Sequence, residues 1–420
     1  MQLPGTMALI QAKKNQKDKK RNRVTRGGGS RDSSEEPAQS PSSHRRKGGS
    51  GEEKRSGKKR SREGGQDATH TVATTEGEEP SNNPGKQSDR PKKGGNSKDA
   101  ARKKPKPPPK LSAEAEGAID RFLGRYLKVS VEALHDEWVG LKLYAPPSTK
   151  ADAHARNLGK NRYQDIICWD ETRVILKTDY GNYTAADGDY IHANWITMPD
   201  VDRKYIATQG PKQDTIEDFW RMVFQENSSC VLCVTDLLEG GVEKCCQYWP
   251  EKQGSYQNYG KMFVNNKKVE TQEGVATVYT LEILPDSCSN SIITKLVHCT
   301  NWPDKSATSG RLVNKLRVQV KETGTTPCIV HCSAGVGRTG TFIAIELVIA
   351  KLLKGRDVTV PEVFTQLRQC RASSIQSEQQ YMFIYTTVLD YLAAKKPSET
   401  TRASLNLLYD QIAKYVDQQP

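Results

Sequence analysis

The chain has 420 residues, with 63 Lys plus Arg against 50 Asp plus Glu and a formal net charge of +13. Residues 1–110 hold 28 basic and 13 acidic side chains, a net of +15, which leaves the remainder close to neutral at −2. No apolar run is long enough to cross a bilayer and no charged-then-apolar secretory start is present, which points away from the membrane-spanning and secreted classes.

Residues 1–110 contain no Phe, Trp, Tyr or Cys, and the first aromatic of these types is Phe122. A segment with so little to bury cannot offset its chain entropy and is expected to be a disordered basic tail. Gly27-Gly28-Gly29-Ser30 and Gly48-Gly49-Ser50-Gly51 are flexible linker chemistry, and Pro105-Lys106-Pro107-Pro108-Pro109 is stiff. The runs Lys13-Lys14 to Arg21 and Lys58-Lys59-Arg60 suit an anionic partner, either nucleic acid or a membrane surface, or nuclear import. A plain solvated arm is the alternative.

The next stretch, 111–395, is long enough for one large core. Val231–Thr235 and Cys328–Val330 read as buried strands, and 275–284 with 292–298 as an antiparallel hairpin closed by Pro285–Asn290. Strands alternating with helical patterns imply an α/β or α+β layer fold. All ten cysteines lie in this part and are expected to be reduced in an intracellular, cytoplasmic or nuclear, setting. Cys230-x-x-Cys233 falls in a strand pattern with no second pair at zinc spacing, so packing explains it better than a metal or redox role. No metal and no cofactor are expected. In the closing segment, 396–420, Leu405, Leu408, Ile412 and Val416 have helical spacing and can dock on the domain or on a partner.

The most informative string is His331-Cys332-Ser333-Ala334-Gly335-Val336-Gly337-Arg338-Thr339-Gly340. It lies between an apolar strand and a mostly apolar helix, and a glycine-rich loop entering a helix N-terminus is an anion site. Gly335 and Gly337 permit the close backbone approach, and Arg338 offers a planar fork for two phosphate oxygens. The same positive field lowers the pKa of the Cys332 thiol, giving a nucleophile aimed at phosphorus. A bare Cys-x5-Arg spacing would be weak evidence, and an inert buried cysteine is the bland alternative.

Around this string the sequence resembles the classical, non-receptor-type protein tyrosine phosphatases, from about Leu111 to about Lys395. The resemblance is carried in order by Asn161-Arg162-Tyr163-Gln164-Asp165-Ile166, Asp189-Tyr190-Ile191-His192-Ala193-Asn194, Tyr205–Pro211, Asp218–Val223, Lys244–Pro250, Trp302-Pro303-Asp304, the cysteine loop and Gln376–Tyr381. It implies a twisted mixed β-sheet flanked by helices, and hydrolysis of phosphotyrosine on proteins through a phosphocysteine intermediate. By this resemblance Cys332 is the nucleophile, Arg338 the phosphate clamp, Asp304 the general acid and Gln376 the residue that orients water. Ser333, Ala334, Gly335, Val336, Gly337 and Thr339 line the phosphate together with Gln380, which is four residues after Gln376 and expected on the same helical face. Tyr163 walls the slot, and Asp165 accepts substrate backbone N–H groups. His331, Trp302, Glu239 and Lys244 support the site, the last two also open to reading as an ordinary surface ion pair. Gln376 can also be read as a helix cap. One departure stands out: the family usually follows the acid with an aromatic or His and then Gly-Val-Pro, whereas this chain has Lys305-Ser306-Ala307-Thr308. A weakly active or non-catalytic phosphotyrosine-binding module is the rival class.

Overall fold

The computed structural model describes residues 110–418. The basic tail, its linkers and its Lys/Arg patches lie outside the described residues, apart from Lys110. The described strands are β1 (Arg173–Ile175), β2 (Tyr190–Ile196), β3 (Tyr205–Thr208), β4 (Cys230–Cys233), β5 (Leu238–Glu239), β6 (Val242–Glu243), β7 (Tyr256–Tyr259), β8 (Met262–Gln272), β9 (Ala276–Pro285), β10 (Ile292–His298) and β11 (Cys328–His331). Nine form one mixed sheet in the order β1-β2-β3-β11-β4-β10-β9-β8-β7, and β5 pairs with β6 apart from it. The centre, β3-β11-β4-β10, is parallel throughout, and the strands outside it pair antiparallel. This is the α/β (α+β) layer architecture expected from the alternating strand and helix patterns.

The central strands are continuous apolar runs because both of their faces are covered. Cys230 and Leu232 enter one core while Val231 and Cys233 enter the other. Residues three apart on a strand face opposite ways, so Cys230 and Cys233 cannot act as paired ligands. The β9–β10 hairpin runs in register from Ile292 opposite Ile283 to His298 opposite Thr277. Strand β8 was not apparent in the sequence. Its first half buries Met262, Val264 and Asn266, but a bulge after Asn266 turns a run of lysines and other polar residues outward.

The larger core collects most of the described helices: α1 (Ala113–Tyr126), α2 (Val131–Leu141), α5 (Gly310–Glu322), α6 (Gly337–Leu353), α7 (Val360–Cys370), α8 (Glu378–Lys395) and α9 (Glu399–Gln418). The short α3 (Asp152–Arg156) lies beside β2, and α4 (Ile216–Gln225) covers the other face. Helix α6 starts at Gly337, three residues earlier than its apolar run suggests, and is buried nearly all round. Helix α9 docks on this domain, burying Leu405, Leu408 and Ile412 in the same core as α8. That resolves the choice between domain and partner.

Because Phe342 is fully buried against this core, Phe342→Ala should destabilise the fold by about 3–5 kcal/mol, read as a lower urea midpoint at unchanged slope.

Candidate active site

Four neighbouring parallel strands end level with one another. Thr208 lies opposite His331, His331 opposite Cys233, and Cys233 opposite His298. The loops beyond these carboxyl ends, where ligands bind in open α/β sheets, bring together Gly210, the Cys332 loop, the Glu239–Lys244 hairpin and Asp304.

The backbone carbonyls of the Cys332 loop are each held from outside. His331 Nδ1 donates to Cys332 O at 3.0 Å, and Gly210 N to Ser333 O at 2.8 Å. Arg371 donates from Nη2 to Ala334 O at 3.0 Å and from Nε to Gly335 O at 2.9 Å. Ile375 N donates to Val336 O at 2.9 Å. In a trans peptide the C=O and the following N–H point opposite ways. Five carbonyls turned outward therefore turn the amides of Ser333, Ala334, Gly335, Val336 and Gly337 inward. Of these, Gly335 N already donates to Cys332 Sγ at 3.3 Å. Gly335 has φ +71°, and a side chain there would run into the Thr208 carbonyl.

Burial pushes the Cys332 thiol up, but the Arg338 charge, the Thr339 hydroxyl and amide and the Gly335 amide together bring it below the ordinary thiol range. The Thr339 hydroxyl makes no well-formed hydrogen bond to another described group, which leaves it for the sulfur. Burial lowers His331 to about 4, so the ring is neutral. Its Nε2 accepts from Tyr248 Oη at 2.6 Å, consistent with a proton on Nδ1.

Arg338 is almost fully buried. Its Nη1 donates to Glu239 Oε1 at 2.5 Å and to Trp302 O at 2.8 Å, while Nη2 lies 3.4 Å from Asp304 Oδ1. Both Nε and Nη2 lack a hydrogen-bond partner among the described residues. Lys244 Nζ donates to Asp304 Oδ2 at 2.9 Å. Glu239 and Lys244 are therefore not an ordinary surface pair with each other: one bonds Arg338 and the other Asp304. Burial raises the Asp304 carboxyl, yet the Lys244 hydrogen bond, the Arg338 and Lys244 charges and the Lys305 amide outweigh it and hold the group below the usual carboxylate range.

The Lys305–Thr308 segment forms a tight turn. Lys305 has φ +55°, and its amide donates to Asp304 Oδ1 at 3.0 Å. Ser306 O accepts from Trp302 Nε1 at 2.9 Å, and Thr308 Oγ1 donates to Asn301 O at 3.0 Å. Trp302 meets Phe383 of α8 edge-on at 5.8 Å.

Tyr163 Oη donates to Ser333 Oγ at 2.9 Å, because the single Ser333 proton is given to Lys244 O at 2.9 Å. Arg162 anchors this wall through Nε to Gly210 O at 3.0 Å and Nη2 to Pro211 O at 2.7 Å. Asp165 is exposed. Gln376 is not the helix cap. That is Ser377, whose Oγ accepts from Gln380 N at 3.2 Å. The Gln376 carboxamide reaches over the Cys332 loop, where a Cβ on Gly337 would meet its Oε1 at 2.5 Å. Gln376 precedes α8 and does not share its face; the two glutamines meet through Gln376 N donating to Gln380 Oε1 at 3.0 Å. Gln380 Nε2, buried, is left without a partner among the described residues.

Sequence reasoning missed Arg371. It is fully buried and faces no carboxylate, bonding Asn194 Oδ1 at 2.8 Å and His192 Nδ1 at 3.1 Å besides the two loop carbonyls. Buried arginines are rare, and no periodicity marks this one. Ser377, whose Oγ donates to Lys305 O at 2.8 Å and so ties the turn that follows Asp304 to α8, was missed as well. Gly335→Ala should lower turnover at least about 100-fold by displacing the amides, with the loss read in kcat/KM on an aryl phosphate.

The family model described as protein-tyrosine phosphatase matches residues 157–390. Tyrosine-protein phosphatase non-receptor type 20 of Rattus norvegicus is 36% identical over 263 residues, which are 61% of this chain and 60% of that protein. Receptor-type tyrosine-protein phosphatase eta of Homo sapiens is 36% identical over 272 residues, 63% of this chain and 20% of that protein. The chain thus spans about three-fifths of the first relative's length and a fifth of the second's. The crystal structure of the Trypanosoma cruzi protein tyrosine phosphatase TcPTP1 superposes with a TM-score of 0.58 at 31% identity, covering 64% of this chain and 96% of that one. With a family match over more than half of its length and the Cys332 loop inside that match, the chain belongs to the protein-tyrosine phosphatase family.

Proposed function

We propose that this chain hydrolyses phosphotyrosine on proteins through a phosphocysteine intermediate. The observation that carries the reading is Cys332, its thiol held below the ordinary range, set among inward amides, with Arg338 Nε and Nη2 lacking hydrogen-bond partners among the described residues and Asp304 Oδ1 3.4 Å from that Nη2. In the first step Cys332 Sγ attacks phosphorus in line. The S–P bond forms, the P–O bond to tyrosine breaks, and Asp304 delivers its proton to the departing phenolate. The loop amides and Arg338 hold the equatorial oxygens. In the second step a water oriented by Gln376 attacks phosphorus and gives a proton to Asp304. The S–P bond breaks and the thiolate returns, stabilised by Thr339. Tyr163 sets the depth of the slot, which suits an aryl phosphate, and exposed Asp165 is placed to accept peptide N–H groups.

Two substitutions test the chemistry. Cys332→Ser should abolish turnover and keep phosphotyrosine-peptide binding. The unmodified protein should release a stoichiometric burst of product, and binding with no burst would instead establish the non-catalytic module.

The Asp304 environment adds a pH prediction. In the free site Lys244 and Arg338 hold Asp304 ionised. A bound phosphate dianion occupies Arg338 and adds negative charge nearby, so it raises the Asp304 pKa. Only protonated Asp304 can donate, so rate falls as pH rises through that pKa. The alkaline limb of kcat should therefore lie at higher pH than that of kcat/KM. Asp304→Asn should remove both limbs and slow kcat about 10²–10⁴-fold, as measured by pH–rate profiles.

For the tail, whose net charge is +15 over residues 1–110, the same reading assigns an anionic partner, a nucleic acid or a membrane surface, and a cytoplasmic or nuclear location. Among the described residues no helix is long and apolar enough to cross a membrane. Deleting 1–110 should change cellular distribution, and an unchanged distribution would remove the assignment.

A further inference from the structure

The turn Gln376-Ser377-Glu378 is where three parts of the molecule meet. Gln376 reaches over the Cys332 loop. Ser377 Oγ donates to the acid-loop carbonyl Lys305 O at 2.8 Å. Glu378, the first residue of α8, is held by two side chains from elsewhere. Tyr415 Oη of α9 donates to Glu378 Oε1 at 3.1 Å, and His135 Nδ1 of α2 lies 2.7 Å from the same oxygen. Tyr415 Oη and His135 Nδ1 are themselves 2.8 Å apart, so the three groups close a triangle. A carboxylate is also the favoured charge at the N-terminus of α8.

The turn needs holding. Just before it, Ser373 and Ile375 have φ +58° and +64°, and a β-branched residue in that region is strained. Arg368 fastens this segment through Nε to Ser374 O at 3.1 Å and Nη2 to Ile375 O at 3.2 Å. Beyond it, the Glu378 triangle is the second fastening. Ser377 is bonded on both sides, to Lys305 O and from Gln380 N. The Gln376 carboxamide makes no hydrogen bond to another described residue, so its place depends on the backbone of the turn. Helix α9 runs back along α8 to reach this point. Tyr409 Oη donates to Thr386 O at 3.3 Å on the way, and Leu405, Leu408 and Ile412 pack beneath. Tyr415 lies outside residues 157–390, the span matched by the family model.

Resting on the functional reading above, we propose that Tyr415 is a positioning residue for phosphocysteine hydrolysis: through Glu378 it fixes the turn that presents Gln376 to the Cys332 loop. Tyr415 touches no reacting atom. It acts on the second step because Gln376 serves that step, while Ser377 keeps its own two bonds and the acid loop stays in place for the first.

The test uses the full chain, a phosphotyrosine peptide and stopped-flow with steady-state kinetics. Tyr415→Phe removes only the hydroxyl. The burst rate and kcat/KM should stay within about twofold of the unmodified chain, while kcat and KM fall together by about 3–10-fold. Glu378→Gln, which keeps the accepting oxygen, should be near normal. Glu378→Ala, which gives up the His135 contact as well, should lose at least as much as Tyr415→Phe, and the double variant should be no slower than Glu378→Ala alone, since both cut the same link. An unchanged kcat, a burst slowed in proportion to kcat, or additive losses in the double variant would overturn the proposal. An unmodified chain that gives no burst would instead defeat the functional reading on which it rests.

Discussion

The site depends on one arrangement: the carbonyls of Cys332 through Val336 are drawn outward, so the amides face inward. A glycine-rich loop has no preference of its own for that state. His331 beside the loop, Gly210 beyond β3, and Arg371 and Ile375 in the turn between α7 and α8 impose it. Burying the Arg371 guanidinium away from any carboxylate carries a desolvation penalty of several kcal/mol. Its hydrogen bonds to two loop carbonyls, Asn194 and His192 offset that penalty, each contributing about 1.5–3 kcal/mol as bonds to a charged group. The amides it directs inward supply a positive field without a mobile counter-ion. That field, with Arg338, brings the buried Cys332 thiol below the ordinary thiol range.

The charges around the pocket are matched in pairs. Glu239 bonds Arg338, and Lys244 bonds Asp304, with Asp304 also near Arg338. The matching fixes the Arg338 fork while leaving Nε and Nη2 without hydrogen-bond partners in the structure. It also places Asp304 where an added negative charge in the pocket would change its protonation. The geometry follows from the sheet, since four parallel strand ends lie level and each loop has only a few residues to travel.

The strands that build this platform were legible because burial on both faces leaves an unbroken apolar run, as in Cys328–Val330. The β9–β10 hairpin was legible from its alternation. Strand β8 was hidden because half of it faces water, and the bulge after Asn266 breaks its period. In the site, Cys332, Arg338 and Asp304 could be picked out from local strings, and the structure brings them together. Arg371 could not, because its role lies in partners 36 and 177 residues away along the chain. The cap of α8 could be read as Gln376 but is Ser377, and the bond from Ser377 to Lys305 O depends on a tertiary contact. The unusual Lys305–Thr308 segment likewise showed its departure in sequence, while the turn it makes around Asp304 rests on a positive φ at Lys305 that the residue type does not announce.

The central claim is that inward amides and Arg338 keep Cys332 ionised despite full burial. The direct measurement is the pH dependence of Cys332 alkylation by neutral iodoacetamide, followed by mass spectrometry of the peptide that contains it. The account predicts half-maximal reactivity well below the value of about 8.5 typical of a free thiol. Half-maximal reactivity at or above that value would contradict it.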